Sequence, residues 1–405
     1  MREGWREVRL ADVSRRRTDF TSVVADDLYR IVGVQRSGWG LVDRAPARGD
    51  SMKFDKLMEL HEDDLVYRTI TAFEAPSTVV PSDFERSFVT PQTFPVYALD
   101  RSQILPRYMS LLTTWPTFHE EMSTRCVGTV LRRKTLSKGA FESIPISLPP
   151  LIEQRRIVDL VGAVDDAIKA ADGEAVAAET LSRSVRRHLL RPRPSWEAVT
   201  LGDVSRVVTG RSFKAEHQGR STGSVPYFRV SDMTAAGNER ELLMPNDWLD
   251  EEGVAAVKPV VCPPGTVVFP ILGAALATEK RRVLGIHAGF VQHMIGLVPG
   301  PRVLSGILLA VMQDVRLADF SQHGAMPSVN QKLVSAIAFA LPPLDAQERI
   351  VEQLRAVENA ADAARTTADA LRTLRSNLLT VLLSGEHEIP ESYDRFLILD
   401  EKAAA

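Results

Sequence analysis

Residues 148 to 158 read LPPLIEQRRIV, and 193 positions later the chain reads LPPLDAQERIV, with eight of the eleven residues identical. A second pair keeps almost the same spacing. WREVRLADVSR begins at Trp5 and WEAVTLGDVSR at Trp196, seven of eleven identical and 191 positions apart. Two independent markers on one period define a tandem of half-molecules, and such a repeat constrains the architecture before any single element is read. Each half opens at a Trp and closes on LPPL. At roughly 100 to 200 residues per domain, the 405 residues also call for more than one core.

After each LPPL the pattern becomes helical. Ile157, Val161, Val164, Ile168, Ala171, Ala175, Ala178, Ser182, Val185 and Leu189 step by four and three in alternation, as the seam of a helix that packs on another helix does. Ile350, Leu354, Val357, Ala361, Ala364, Ala368, Leu371, Arg375, Leu378 and Leu382 repeat that seam position for position. Proline cannot continue a preceding helix, so Pro149-Pro150 and Pro342-Pro343 punctuate, and Asp345 with Glu348 fits a capping box opening the second helix. Each helix is expected to run about 35 to 40 residues, or roughly 50 to 60 Å. Two stripes of equal length and phase cover one another as an antiparallel coiled coil; the alternative is that each helix packs on its own globular segment. Gly173 and the polar seam positions Ser182 and Arg375 are local weaknesses, candidates for a bend or an outside contact.

The segments before the helices carry short β-branched and aromatic runs, LYRIVGV (28–34), DLVYRTI (64–70), VPYFRV (225–230) and GTVVFPI (265–271), with helical stretches near 105–123 and 302–319. The fold class expected is α+β: two globular domains, 1–147 and 193–340, separated by long helical segments at 148–192 and 341–385, with a tail at 386–405. The arrangement is a pseudo-two-fold tandem repeat. The interiors of the two globular segments share little, which points to two readers of different things on one frame.

Catalytic signatures are missing. There is no GxxxxGK[ST] phosphate loop, His119 in HEEMS lacks the second histidine of a zinc site, and Gly-Trp-Gly at 38–40 precedes no helix pattern. PNDWLDEE (245–252) reads as a solvated acidic loop. Cys126 and Cys262 form neither a disulfide framework nor a CxxC site. The longest weakly polar stretch, VVFPILGAALA (267–277), is about half a membrane span, so a soluble cytoplasmic protein without a membrane partner is expected. Acidity gathers at the C-terminal end, and each globular segment is nearly balanced, which leaves room for a basic face.

As a paired pattern, two variable segments alternating with two LPPL-x-x-Q-x-R-I-V helices resemble the specificity subunit of type I restriction-modification systems, over nearly the whole chain to about Leu383. The resemblance implies a non-catalytic subunit whose two target-recognition domains each read half of a bipartite, asymmetric site on double-stranded DNA. It also implies that the repeated helices space the domains and dock two copies of an adenine methyltransferase subunit, and through them a restriction and translocase subunit. No cofactor is expected in this chain; S-adenosylmethionine belongs to the methyltransferase. The alternative is a non-catalytic adaptor of another phage-defence assembly that uses the same frame without reading sequence.

Phosphate contacts position and base-edge contacts specify. The candidates are Arg36, Arg68 and the run Arg132, Arg133, Lys134 in the first reader. In the second they are Arg211, Lys214, Arg229 and the run Lys280, Arg281, Arg282, with Ser328, Asn330 and Lys332 near the loop that leads into LPPL. Relatives of this kind often carry a serine-or-threonine, apolar, asparagine loop there. Ser328-Val329-Asn330 matches it, whereas Thr135-Leu136-Ser137 in the first half lacks the Asn.

Overall fold

The computed structural model describes residues 4–130, 134–320 and 328–397. The chain is α+β, and its longest elements are the two expected helices, Leu151–Leu189 and Leu344–Leu383. It divides into two compact units, one of residues 1–172 with 366–405 and the other of 173–365, so each unit joins one globular segment to half of each long helix. Among the described residues no helix is long and apolar enough to cross a membrane.

Within the first unit, Asp165 pairs with Arg375 and Asp172 with Arg372, so the partner number falls as the other rises and the helices run antiparallel. Within the second, Glu179 pairs with Arg365, while Glu358 lies in the field of Arg186, again in antiparallel order. Burial pushes the Glu358 carboxyl up, against the opposing pull of Arg240 and Arg186. All ten seam positions on each helix are buried or half-buried. Ile157, Val161, Ile350, Leu354 and Ala361 are buried, and Val164, Ile168 and Val357 are half-buried. Burying one such branched aliphatic side chain stabilises by about 1.5 to 3 kcal/mol, so the seam carries much of the helical stability.

Three expectations need correction. The first long helix is unbroken through Gly173, and Arg375 is paired with Asp165 rather than left as a weak point. Asp345 lies inside the second helix and accepts from Arg349 at 2.9 Å; the proline carbonyl of Pro343 takes the first free N–H groups, from Ala346 and Gln347. PNDWLDEE is no solvated loop. Asp247 is fully buried in the strand Asp247–Leu249, and Asp250 caps the helix Glu251–Val257 by accepting from Gly253. A charge run reads as solvated when its counter-charge is distant in sequence, and here Arg229 supplies it.

In the first unit a four-stranded sheet orders Ser77–Val79, Leu65–Tyr67, Val96–Leu99 and Ser14–Arg16, beside a three-stranded sheet of Phe88–Val89, Lys56–Glu59 and Phe20–Ser22. Tyr67 stacks on Phe141 with ring centroids 3.8 Å apart, in a core completed by Ile157, Val161, Leu379 and Leu382 of the long helices. The second unit has a five-stranded sheet ordered Ser205–Thr209, Met294–Pro299, Val267–Pro270, Arg282–Leu284 and Glu241–Leu242. Ser305–Asp314 covers it and also packs closely on the second long helix, where a Cβ on Gly306 would come within 2.7 Å of Val351.

The repeat is reproduced bond by bond. Arg6–Arg9 pairs antiparallel with Pro145–Leu148, and Glu197–Thr200 with Ala338–Leu341. Asp12 accepts from the Arg9 amide, and Asp203 from the Thr200 amide, each at 2.8 Å. Ser14 and Ser205 each donate to the leucine carbonyl four residues back at 2.7 Å. The glutamine of the repeated phrase is fully buried in both copies. Gln154 Oε1 accepts from Leu105 N, and its Nε2 donates to Gln103 O and Pro149 O; Gln347 does the same with Leu304 N, Arg302 O and Pro342 O. The phrase therefore recurs because each globular segment is clipped to its long helix by the same three-bond amide.

Candidate nucleic-acid interface

In the first unit, Val32–Val34 and Leu41–Asp43 form a hairpin whose tip is held in left-handed geometry at Ser37, Gly38 and Gly40. Gly38 has no substitute, since a Cβ would sit 2.4 Å from the Thr113 carbonyl. The tip presents Trp39, 62% exposed, with the Arg36 guanidinium 4.7 Å from its ring. That cation over an exposed indole is a favourable contact that holds both side chains outward. Ser37 N donates to Glu74 O at 2.9 Å, tying the tip to the tight turn Ala72–Glu74, which is flanked by the left-handed residues Thr71 and Ala75. Arg68 braces this turn, donating to Glu74 Oε2 at 2.9 Å and to Ile70 O, while Thr71 N donates to Lys134 O. Arg36, Arg68 and Lys134 thus come together; Arg36 is exposed, Lys134 half-buried, and Arg68 is spent on the turn. Arg132 and Arg133 lie outside the described residues.

In the second unit, Arg211, Lys214, His217 and Gln292 line a cleft of about 380 Å³. The backbone of Arg211 is pinned on three sides. Its N–H donates to Phe290 O, its carbonyl accepts from Gln292 N, and it also accepts from the Tyr227 hydroxyl at 2.9 Å. Burial pushes the Tyr227 phenol up to about 12, so the hydroxyl stays a donor. The backbones here approach too closely for any side chain at 210, where a Cβ would lie 2.2 Å from two carbonyl oxygens. Arg211 and Lys214 project to solvent from this fixed edge, Lys214 only loosely paired with Glu216 at 3.8 Å. Arg229 is engaged behind them, ion-paired to Asp247 at 2.7 Å and bonded to Gln218.

The run at 280–282 does not face outward as the sequence suggested. Arg281 is 5% exposed, donates to Met312 O and Val315 O at the end of Ser305–Asp314, and pairs with Glu279. Arg282 donates to Asn238 O and Met233 O. Desolvation pulls both guanidinium pKa values down. Of the three, only Lys280 has an ammonium head with no hydrogen bond or ion pair among the described residues, and it is half-buried. Asn330 also serves the fold: its side chain caps Gln331–Ser335 by accepting from Leu333 N at 3.0 Å. Ser137, at the matching position of the first half, caps Lys138–Glu142 by accepting from Ala140 N. The missing Asn is replaced by another good capping residue. Ser328 forms a bridge with Leu272, and Lys332 is exposed on the capped helix. Sequence reasoning missed Trp39 and the exposed pair Gln292 and His293. The signal was present in Gly-Trp-Gly, once that is read as a hairpin tip and not tested only as a phosphate loop.

No family model matches the chain. A putative type I restriction enzyme specificity subunit, MjaX, from Methanocaldococcus jannaschii is 18% identical over 280 residues, covering 63% of this chain and 62% of that protein. The chain therefore matches less than two thirds of that relative's length. Among solved structures, one described as the structural basis of complex assembly and conformational transition of the type I restriction-modification system aligns with TM-score 0.65 at 20% identity, covering 94% of this chain and 98% of the other. The type I restriction-modification S subunit from M. genitalium aligns with TM-score 0.53 at 12% identity, covering 95% and 97%. Across nearly its whole length, this chain has the fold of type I restriction-modification specificity subunits.

Proposed function

We propose that this chain is the non-catalytic specificity subunit of a type I restriction-modification complex, reading a bipartite, asymmetric site on double-stranded DNA. The observation that carries the reading is the pairing of unlike readers with a frame repeated bond for bond, Gln154 and Gln347 above all. A repeated frame offers related surfaces to two copies of one partner, while unlike interiors read unlike half-sites. The partner is an adenine methyltransferase subunit, which brings S-adenosylmethionine, and a restriction subunit joins through it. In the first reader, the exposed Trp39 with the Arg36 guanidinium over its ring meets the duplex; their shared exposure supports this assignment. In the second, Arg211 and Lys214 take phosphate beside the cleft where Gln292 offers an amide to a base edge.

Co-expression with the neighbouring methyltransferase, followed by a long-read methylation map, tests this. The expected product is N6-methyladenine in one split motif, and replacing residues 193–340 with the equivalent segment of a related subunit changes one half of that motif only. Absence of any methylated motif would favour the adaptor reading.

A further inference from the structure

Two ion pairs join the long helices along one rim of their seam. In the first unit Asp172 accepts from Arg372, and in the second Glu179 accepts from Arg365. Each of the four residues directly follows a seam position, Ala171, Ala178, Ala364 or Leu371. An aspartate three residues back steadies each arginine, Asp362 for Arg365 at 3.1 Å and Asp369 for Arg372 at 2.8 Å.

The repeat turns one pair into the other. At the offset of 193, Asp172 corresponds to Arg365 and Glu179 to Arg372, so the positions are kept and their charge is reversed. The apolar seam carries no such distinction: Ile157 and Ile350, Val164 and Val357, Ala171 and Ala364, and Ala175 and Ala368 are the same residue in both helices. A first helix that paired in this manner with the first helix of a second copy would set Asp172 against Glu179 twice, and the two second helices would set Arg365 against Arg372 twice. Like charges would then meet at all of these contacts, where each separate chain matches acid with base. The neighbouring layer does not discriminate. Asp165 pairs with Arg375, and copy pairing would bring its counterpart Glu358 opposite Arg375, which keeps an acid there.

We infer that the reversed charge at 172, 179, 365 and 372 is a pairing code that selects the chain's own second helix as partner of its first and rejects a second copy of the chain. Exposed ion pairs add little to stability, so their effect lies in the repulsion they build against the wrong partner. A chain with a duplicated frame needs such a device, because its seam alone fits its own copies as well as it fits itself. The code goes beyond the specificity reading and does not depend on it.

Refolding the full chain from urea over a concentration series, followed by native mass spectrometry, tests the code with two variants. D172R/R372E reverses one pair, so opposite charges still meet within the chain and now also meet between copies. D172R/E179R/R365E/R372E reverses both pairs, which restores like charges between copies while sharing the local changes of the first variant. The parent and the quadruple variant are expected to stay monomeric. D172R/R372E should dimerise about a hundredfold more tightly, at roughly threefold for each contact turned from like to opposite charge, and added salt should narrow the difference. A D172R/R372E chain as monomeric as the parent, or a quadruple variant that dimerises to the same extent as D172R/R372E, would overturn the inference.

Discussion

Replacing Gln347 with Leu tests the claim that the repeated phrase is a clip. The side chain is fully buried and makes three bonds, accepting from Leu304 N and donating to Arg302 O and Pro342 O. Leucine has a similar volume, so little cavity cost arises and the effect isolates the polar loss. The orphaned N–H of Leu304 has no second partner and costs about 1 to 3 kcal/mol; each carbonyl retains a second lone pair and loses about 0.5 to 1 kcal/mol. The expected destabilisation is about 3 kcal/mol, read from urea unfolding followed by both circular dichroism and tryptophan fluorescence. Gln154→Leu should cost the same to within about 1 kcal/mol, because it loses the same three bonds. A loss under about 1 kcal/mol for Gln347→Leu, with an unchanged unfolding slope, would refute the clip. So would a large gap between the two variants.

Arg281→Ala should destabilise by about 2 to 4 kcal/mol, since it orphans the Met312 and Val315 carbonyls and leaves Glu279 unpaired, yet leave the salt dependence of DNA binding unchanged; a fall in that slope would return Arg281 to the phosphate-facing set. Changing Arg211 and Lys214 together to Ala should lower the salt slope by roughly one to two and weaken cognate and scrambled duplexes alike, as titrations across a salt series would show. Val164→Asp with Val357→Asp places a carboxylate in each half of the helix seam, and a melting temperature equal to that of the parent would contradict the pairing. Arg156 holds the Asp394 carboxyl below the usual aspartate range, so the tail's contribution is complete above that range and disappears as pH falls through the depressed value. Amide exchange at residues 391–396 should rise at acidic pH in the parent, and be high at all pH in Asp394→Asn.

The frame was largely legible because its signals are local and repeated. A seam of ten positions shared at one offset can only be a helix stripe, and all twenty residues are withdrawn from solvent. The roles inside the frame were less legible. Gln154 and Gln347 look like polar helix residues until Leu105 and Leu304, more than forty positions away, come to meet them. Arg281 and Arg282 failed in the same way. Three consecutive cations read as a surface run, but the two arginines reach carbonyls 31 to 49 residues distant. Asn330 and Ser137 show the reverse case, where a local cap explains a residue pattern that otherwise suggests base reading. Long-range partners decide whether a charge is spent on the fold or left for a ligand, and a single sequence does not reveal those partners.

Backbone strain divides the chain along the same line. Among the described residues, the non-glycine residues with left-handed backbone are Ser37, Asp63, Thr71, Ala75, Arg86, Lys258 and Glu279. All lie in the variable segments, and none lies in the Trp-led strands, the capped turns or the long helices. Each such residue costs of order 1 kcal/mol or more and persists only where its surroundings hold it. Three of them, Ser37, Thr71 and Ala75, converge through the Ser37 to Glu74 bond on the turn that braces the Trp39 tip. The unstrained frame closes the bonds of its clips and capped turns within each repeat, so it tolerates a costly conformation beside it. That separation lets the variable segments diverge while the clip, caps and seam stay the same, and it places the strain at the turn that holds an exposed indole and guanidinium in position.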